Sequence, residues 1–487
     1  MTNVFKHSPK RPSLKTLNTM CPPERSEESP LICSSRVSPN YSGRACSATA
    51  IPPNHIRAFF HTLFMLLLFI LVFQAGIISA EEKEAIESQE PPLTLGWVVD
   101  EAVNNNPDIR ASFSRWEASQ EAIDGAKSLD DPMVRFQIRN AKNPLQYTGP
   151  YWERYERMGT VSQAVPFPGK LRLRGKIASE TSEMSKKDWE ETIKIITAQA
   201  KAAYYQLYYI HKAIDINRGN RDLLEGLARI AETRYKVGKA PQRDVLAAQV
   251  ELVKIIIDLK ILEEEKKSAE TRVNTLLNRD PEAPLGRPED YVQHKLPLTL
   301  QDVEDLAVKN RPELQKFDIA IKKNQSELKL AKKDLYFPDP EFGIDYMQRD
   351  NLADDWRSEV GINVPWIWGK NRAKVREAKE DVKAAEADYQ AVQNSVLFEV
   401  KDFWVRATNA QTTTKIYSEN VIPLAEQSLK AAVAEYKTEK IDFLTLIDSE
   451  RTLLDAGLMY YRALTDFETN LAELERAVGI PLTQSGF

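Results

Sequence analysis

Two different periods of apolar and polar residues alternate along this chain. After Pro132, the apolar Val134, Phe136 and Ile138 are separated by the polar Arg135, Gln137 and Arg139. Phe342, Ile344 and Tyr346 alternate in the same way with Glu341, Gly343 and Asp345, and Val360, Ile362 and Val364 with Glu359, Gly361 and Asn363. A period of two places each apolar set on one face of an extended strand. A partner strand is expected from about Met158 to Val165, although it alternates poorly. The segments Ala141 to Glu156 and Asp350 to Trp356 read as hairpin loops, the first carrying Pro144, Gly149 and Pro150. Elsewhere the apolar positions step by threes and fours. Ile193, Ile196, Ala200, Ala203, Leu207, Ile210 and Ile214 do so, as do Val396, Val400, Phe403, Ala407, Ala410, Thr414 and Tyr417, which is the seam of a coiled coil. Leu171 to Val237 contains no proline, and a helix of that span would be about 100 Å long. After short breaks, returning helices are expected from Gln242 to about Leu277 and from Phe443 to about Val478. Pro423 cannot donate its backbone hydrogen bond, so a kink or interruption is expected there.

The pattern occurs twice. Leu93-Thr94-Leu95 with Asn106-Pro107-Asp108-Ile109 returns as Leu298-Thr299-Leu300 with Arg311-Pro312-Glu313-Leu314, at an offset of 205 residues. Asp131-Pro132 is echoed by Asp339-Pro340, Val165-Pro166-Phe167-Pro168-Gly169-Lys170 by Val364-Pro365-Trp366-Ile367-Trp368-Gly369-Lys370, and Tyr235-Lys236 by Tyr436-Lys437. Landmarks recurring in one order point to two copies of one structural unit. The repeats span 93–280, with strands near 132–140 and 157–166 and a helical hairpin over 170–278, and 298–480, with strands near 341–348 and 357–365 and a hairpin over 370–478. Residues 281–297 connect them, and 481–487 form a tail. Each copy opens with an amphipathic helix capped by Thr94 or Thr299. Four strands per chain are too few to close a barrel, and open edges cannot sit in lipid, where every backbone group must be paired within protein. Membrane insertion would therefore need several chains to pool their strands.

The N-terminus adds a destination. Leu63 to Phe73 is an uncharged apolar run preceded by Arg57 and His61 and followed by Gln74-Ala75-Gly76-Ile77-Ile78-Ser79-Ala80, a mostly small-residue exit in which Ile78 is bulkier than usual. This is the layout of a secretory signal over 57–80; a single membrane anchor is the alternative. Residues 1–56 read as a disordered extension or an over-long gene start, and 81–92 as a linker. All three cysteines, Cys21, Cys33 and Cys46, precede the apolar run, so the exported chain offers no thiol for a disulfide or a metal. Its only histidines are His211 and His294, far apart in sequence. With 28% charged and 42% hydrophobic residues the chain can bury a core, while a net charge of -5 gives no footprint for nucleic acid. No nucleophile elbow and no phosphate-cradling loop is present. Neither catalysis, a cofactor nor a metal site is expected.

The phrases Val161-Ser162-Gln163-Ala164-Val165-Pro166-Phe167-Pro168-Gly169-Lys170, Tyr235-Lys236-Val237-Gly238-Lys239 with Asp244-Val245-Leu246, Val421-Ile422-Pro423-Leu424-Ala425-Glu426-Gln427, Asp442-Phe443-Leu444 with Asp448, and Glu473-Leu474-Glu475-Arg476-Ala477-Val478-Gly479 stand in a telling order. Through them the chain resembles the outer membrane efflux protein family, the TolC-like trimeric exit ducts of Gram-negative tripartite pumps, over about Leu93 to Ile480. The resemblance implies a mainly α chain with a β-barrel membrane part. Three chains would pool four strands each into a 12-stranded outer-membrane barrel above a periplasmic tunnel of long coiled-coil helices. The apolar strand faces would then meet lipid, and Arg135, Gln137, Asp345, Glu359 and Asn363 would line water. Implied partners are two further copies of the chain, outer-membrane lipid, a periplasmic adaptor (membrane fusion protein) and an inner-membrane pump of the RND type.

In the family the breaks between paired helices form the periplasmic mouth. Tyr436 and Asp448 match positions where the family places constriction residues, and with Asp442 they are candidate gate residues. The alternative is a tyrosine packed in a turn and an acid that caps or solvates a helix. Ile441 and Thr445 stand where some members carry an arginine and a further aspartate, and Glu439 replaces the glycine that Gly238 keeps. Val237, Gly238 and Lys239 are candidate adaptor contacts, or an ordinary helix-ending glycine turn. The Pro-Phe-Pro-Gly-Lys phrase and the Asp442-Phe443-Leu444 stretch with Asp448 look most like the heavy-metal cation efflux branch. Ducts for drugs or for type I protein secretion share the architecture, and a periplasmic coiled-coil scaffold is the reading of another class.

Overall fold

The computed structural model describes residues 91–140, 155–291, 293–294, 296–349 and 353–482. The expected signal, N-terminal extension and most of the linker lie outside these residues, as do most of the first hairpin loop, the start of the second and the end of the tail. The described chain is mainly helical with one small sheet. In order it forms α1 (Leu95–Asn105), α2 (Pro107–Lys127), β1 (Met133–Asn140), β2 (Tyr155–Ala164), α3 (Lys170–Lys236) and α4 (Gln242–Leu276). There follow α5 (Leu300–Asn310), α6 (Pro312–Tyr336), β3 (Pro340–Arg349), β4 (Asp355–Ile362), α7 (Lys370–Ile416), a π-helical turn (Tyr417–Val421), α8 (Ile422–Lys437) and α9 (Phe443–Val478).

The caps form where the sequence puts them. Thr94 Oγ1 accepts from the Trp97 amide at 3.3 Å, and Thr299 shares a reciprocal capping box with Asp302. The single opening helix expected in each half is instead two helices. The residue before a proline is pushed out of the helical region, so Asn106 (ψ 128°) and Arg311 (ψ 119°) break the chain ahead of Pro107 and Pro312. Each break is then used as an anchor. Asn106 caps α2 through the Asp108 amide at 2.9 Å and donates to the Leu276 carbonyl at the end of α4, 3.1 Å away. Arg311 donates to the Arg476 carbonyl near the end of α9 at 3.3 Å. Its buried guanidinium meets Glu191 at 3.4 Å, Glu313 at 3.0 Å and Glu399 at 3.5 Å. Burial pushes the Glu191 carboxyl above its ordinary range, and Arg311 opposes that shift.

The 67 residues of α3 run unbroken, about 100 Å at 1.5 Å per residue. Its seam faces inward: Ile196, Ala200, Ala203, Leu207, Ile210 and Ile214 are all buried. In the second half Val396, Val400, Ala407 and Thr414 are buried. There the corresponding helix does not run through. Pro423 would leave one carbonyl of the preceding turn without a donor and clash with it. The backbone widens to a π turn at Tyr417–Val421, closed by the Ile422 amide on the Tyr417 carbonyl, and Pro423 sits in the first turn of α8. No helix among the described residues is long and apolar enough to cross a membrane.

The four strands make one antiparallel sheet in the order β1-β2-β3-β4, which leaves β1 and β4 as its edges. Below it, α9 is held to the connection between the halves by His294, whose amide and Nδ1 meet the buried Glu468 carboxylate at 3.0 and 2.8 Å. Lys201 and Glu475, paired at 2.6 Å, line the same small cleft with Tyr205. The bond to Glu468 raises the His294 pKa above its ordinary 6.5, against a smaller desolvation effect. A raised folded-state pKa contributes stability that is complete below 6.5 and lost as pH rises through the folded value. Thermal melts at about pH 6 and about pH 8.5 should therefore show the native chain losing more stability over that interval than the His294→Gln variant. Equal losses would mean that the tie contributes no pH-dependent stability.

Candidate functional site

Two regions bring the sequence-predicted residues together: the sheet and the far end of the helical hairpins. Across the sheet, the register aligns Val134 with Val161 and Val161 with Ile344, and in the next row Phe136, Gly159, Tyr346 and Trp356. The Tyr346 and Trp356 rings lie 4.9 Å apart. This face is open: Phe136 is 84% exposed, Ile138 71% and Trp356 69%. An apolar, partly aromatic sheet face of this kind belongs against lipid or another protein surface. Gly159 explains the poor alternation of β2. A Cβ there would lie 3.6 Å from the Phe136 ring, which extends across the glycine.

The opposite face is polar. Arg135, Thr160, Asp345 and Arg357 form one row across all four strands, Gln137 lies in the row of Met158, Met347 and Asp355, and Glu359 stands opposite Gly343. Arg135, Gln137 and Glu359 are exposed, whereas Asp345 is only 3% exposed. Asn363 lies one residue beyond β4, and its side-chain oxygen accepts from the Asp339 amide at 2.9 Å. It braces the root of β3 rather than projecting from a strand, because the ladder ends at Ile362 opposite Pro340.

At the other end the α3–α4 and α8–α9 turns lie side by side. Gly238 has φ 74° and Glu439 φ 65°, so both turns end their helices through a left-handed residue. The Lys239 amide closes on the Arg234 carbonyl at 2.8 Å and the Lys440 amide on the Glu435 carbonyl at 3.0 Å. Val237 is exposed beside Gly238. A glutamate in this conformation costs about 1–2 kcal/mol relative to glycine. Glu439 is held by Lys239 at 3.4 Å and Arg234 at 3.6 Å.

Tyr436 does not face outward. It is 2% exposed, its hydroxyl donates to the buried Asp244 at 3.3 Å, and its ring meets Phe443 at 5.5 Å. The Arg234 guanidinium stacks over that ring at 4.5 Å and donates to the carbonyls of Tyr436 and Lys239. Burial and the Asp244 charge push the Tyr436 hydroxyl up to about 12, so it remains a donor at neutral pH. Asp442 caps α9, accepting from the Thr445 amide at 3.0 Å, and the bonds from Thr445 hold its carboxyl below the ordinary range. Asp448 lies six residues further on, about 9 Å along the helix; it is exposed and 3.9 Å from Arg451. Tyr436 and Asp442 thus share the tip with Val237, Gly238 and Lys239, while Asp448 stands on the flank. The sequence pattern does not mark Arg234 and Asp244 as site residues, since their partners are some 200 positions away in the chain. His211 is half-buried on α3, and no group of three or more His, Cys, Asp or Glu placed to hold a metal occurs among the described residues.

The described part thus carries an exposed apolar sheet face at one end and paired helical turns at the other. The sequence model of the outer membrane efflux proteins matches residues 98–279 and 303–480, and the chain belongs to that family. It is similar to the cobalt-zinc-cadmium resistance protein CzcC of Cupriavidus metallidurans, 21% identical over 401 residues that cover 80% of this chain and 90% of that protein. It is also similar to the outer membrane efflux protein BepC of Brucella suis, 22% identical over 404 residues covering 79% and 85% of the two chains. The solved structure of the outer-membrane channel OprN shares the fold, with a TM-score of 0.69 at 21% identity over 79% of this chain and 89% of that one. The family and these structural relatives are channel proteins rather than enzymes.

Removing the Tyr436 hydroxyl would leave the buried Asp244 short of a donor, which costs about 1–3 kcal/mol. Tyr436→Phe should therefore speed amide exchange over residues 438–446 while leaving the α3 seam protected. Unaltered exchange at the tip would show that this hydroxyl does not hold the two turns together.

Proposed function

We propose that three copies of this chain form an exit duct through the outer membrane, the outermost part of a tripartite efflux system. The observation that carries this reading is the sheet: four strands with two open edges, one face apolar and exposed, the other polar. In lipid such a sheet is stable only when its edges are closed. Three copies supply twelve strands, enough for a barrel with an aqueous lumen. Arg135, Gln137, Asp345 and Glu359 then face water, with Asn363 at the rim, and the duplicated helical units continue the passage through the periplasm. The duct is passive; a periplasmic adaptor and an inner-membrane pump of the RND type deliver cargo and energy. Val237, Gly238 and Lys239 are the adaptor contacts, because they are displayed at the free end of the hairpin beside a groove rich in basic side chains, Arg229, Lys239 and Lys437 among them. Tyr436, Asp442 and Asp448 belong to the gate: Tyr436 fixes the turn from within, and the two acids supply charge that three-fold symmetry turns into rings.

Heavy-metal cations are the proposed cargo. The name of the similar cobalt-zinc-cadmium resistance protein supports it, as does the Pro-Phe-Pro-Gly-Lys phrase at the root of the first hairpin. A drug or protein-secretion duct is the competing reading on the same architecture. A periplasmic scaffold leaves the exposed apolar sheet face without a purpose.

Deleting the gene should sensitise cells selectively to cobalt, zinc, cadmium, copper or silver ions. Sensitivity confined to drugs and detergents would overturn the metal cargo, and extraction of the protein by salt alone would overturn the duct. For the gate, Asp442→Asn keeps the helix cap while removing the charge. Combined with Asp448→Asn it should lower cation preference and raise resting conductance in planar bilayers. A channel unchanged in both respects would remove these acids from the gate.

A further inference from the structure

One junction within the chain is built from two separated segments, and unmatched copies of both lie at the outer edges of the sheet. Where β2 leads into α3 and α6 into β3, the Val165 amide donates to the Pro340 carbonyl at 2.8 Å and the Phe167 amide to Asp339 Oδ1 at 2.8 Å. The Phe167 and Phe337 rings stack at 4.3 Å. Lys170, 2% exposed, closes the junction: its ammonium meets Asp339 at 2.8 Å, Asp334 at 3.1 Å and the Phe337 carbonyl at 2.8 Å. In sequence, Val364-Pro365-Trp366 through Gly369-Lys370 repeats the first of these segments, and Leu129-Asp130-Asp131-Pro132 stands where Phe337-Pro338-Asp339-Pro340 stands in the second. The former follows edge strand β4 and the latter precedes edge strand β1. Lys370, Trp366, Leu129 and Asp131 are all exposed within one chain.

We infer that Lys370 of one copy pairs with Asp131 of the next, closing each junction between chains as Lys170 and Asp339 close the one within the chain, and fixing the register of β4 on β1. This rests on the trimeric reading above and assigns the contact that would seal it. Ala164 pairs with Glu341 across the internal junction. Carried over by the sequence landmarks, that pairing sets Asn363 opposite Met133 of the neighbouring copy, Ile362 opposite Val134, Gly361 opposite Arg135, Val360 opposite Phe136 and Glu359 opposite Gln137. The landmarks lie at or just beyond the strand ends and carry no information on strand faces, yet the transferred register sets apolar face against apolar face and polar face against polar face, Met133 being the one apolar residue on the polar side of these pairs. A slip of one residue would set every apolar side chain against the polar face. Charge agrees as well, since an exposed lysine at one edge meets an exposed aspartate at the other. The copied junction is not identical. The offset of 208 that relates Asp339 to Asp131 places Ala126 at the position of Asp334, so Asp131 is the shared carboxylate, and the adjacent Asp130 stands in place of Pro338.

Because the three native cysteines all lie before residue 47, introduced pairs can be read cleanly in a chain with those three replaced by serine. Glu359→Cys with Gln137→Cys occupies a position equivalent to Thr160 opposite Asp345, and oxidation should yield covalent trimers. Glu359→Cys with Met133→Cys is displaced by four residues, about 13 Å along the strand, beyond disulfide reach, and should yield none. The reverse pattern, or linkage by neither pair in a preparation that native mass spectrometry shows to be trimeric, would overturn the register while leaving the trimer intact. Absence of any trimer would overturn the duct itself. Lys370→Asp and Asp131→Lys should each lower the temperature at which the trimer dissociates in detergent, and the double exchange should recover much of the loss. Purely additive losses would remove the ion pair from the proposal.

Discussion

The rest of this structure is organised around the unpaired backbone of two strands. β1 and β4 each present a row of amide and carbonyl groups at the edge of a sheet whose one face is apolar and exposed. In water such edges attract unwanted strands, and in lipid each unpaired group costs several kcal/mol. Adding helices to the same chain cannot remove the edges. Continuing the ladder can, and the polar row of Arg135, Thr160, Asp345 and Arg357 on the other face fits a ladder that closes around water. The helices α3 and α7 inherit the geometry, since each starts soon after a strand end and must keep the spacing that the sheet imposes.

Three cations bind the two parts of the chain along its length. Lys170 near the sheet reaches Asp334 and Asp339, Arg311 between the two ends reaches Glu191, and Arg234 at the tip covers Tyr436 and pairs with Glu439. Each joins the first half of the chain to the second. Where the cation is buried, as at Lys170 and Arg311, such pairs add little net stability, because desolvation offsets much of the attraction, while mispairing one strands a charge. Their effect is therefore on register. Coiled-coil seams of small and branched residues, such as Ala200, Ala203, Leu207 and Ile210, tolerate sliding by a turn or a heptad; a lysine that fits only between two particular carboxylates does not. In a helix about 100 Å long, fixing the register at both ends and near the middle keeps the two tips level.

Much of this was legible in the sequence because the two periods report local facts. Alternation at Val134, Phe136 and Ile138 depends on the pleat alone, and the seam of α3 on the helical repeat alone. The break at Asn106 and Arg311 was missed although the Asn-Pro and Arg-Pro steps were in view. A proline is tolerated at the start of a helix, so the amphipathic pattern reads straight through it. β2 was weak for another local reason: Gly159 occupies an outward position, where Phe136 lies across it. The contacts of the tip were out of reach of any such reading. Arg234 meets Tyr436, and Tyr436 meets Asp244, across roughly 200 residues of chain, and neither pairing leaves a mark on the periodicity of either helix.

At the tip the two turns differ in what holds them. Gly238 takes a left-handed backbone at little cost, but Glu439 does so against a penalty of about 1–2 kcal/mol. Lys239 and Arg234, both from the other turn, hold its carboxylate. The strained turn therefore leans on its partner, whereas the glycine turn needs no such help. Asp442 follows three residues later as the cap of α9, its charge held by the Thr445 amide and hydroxyl. A carboxylate fixed in this way resists protonation, so in the proposed trimer it would keep its charge where the three tips converge. On that proposal closure would depend on contacts inside each chain, the Arg234, Tyr436 and Asp244 stack foremost, holding the turns against the repulsion of like charges.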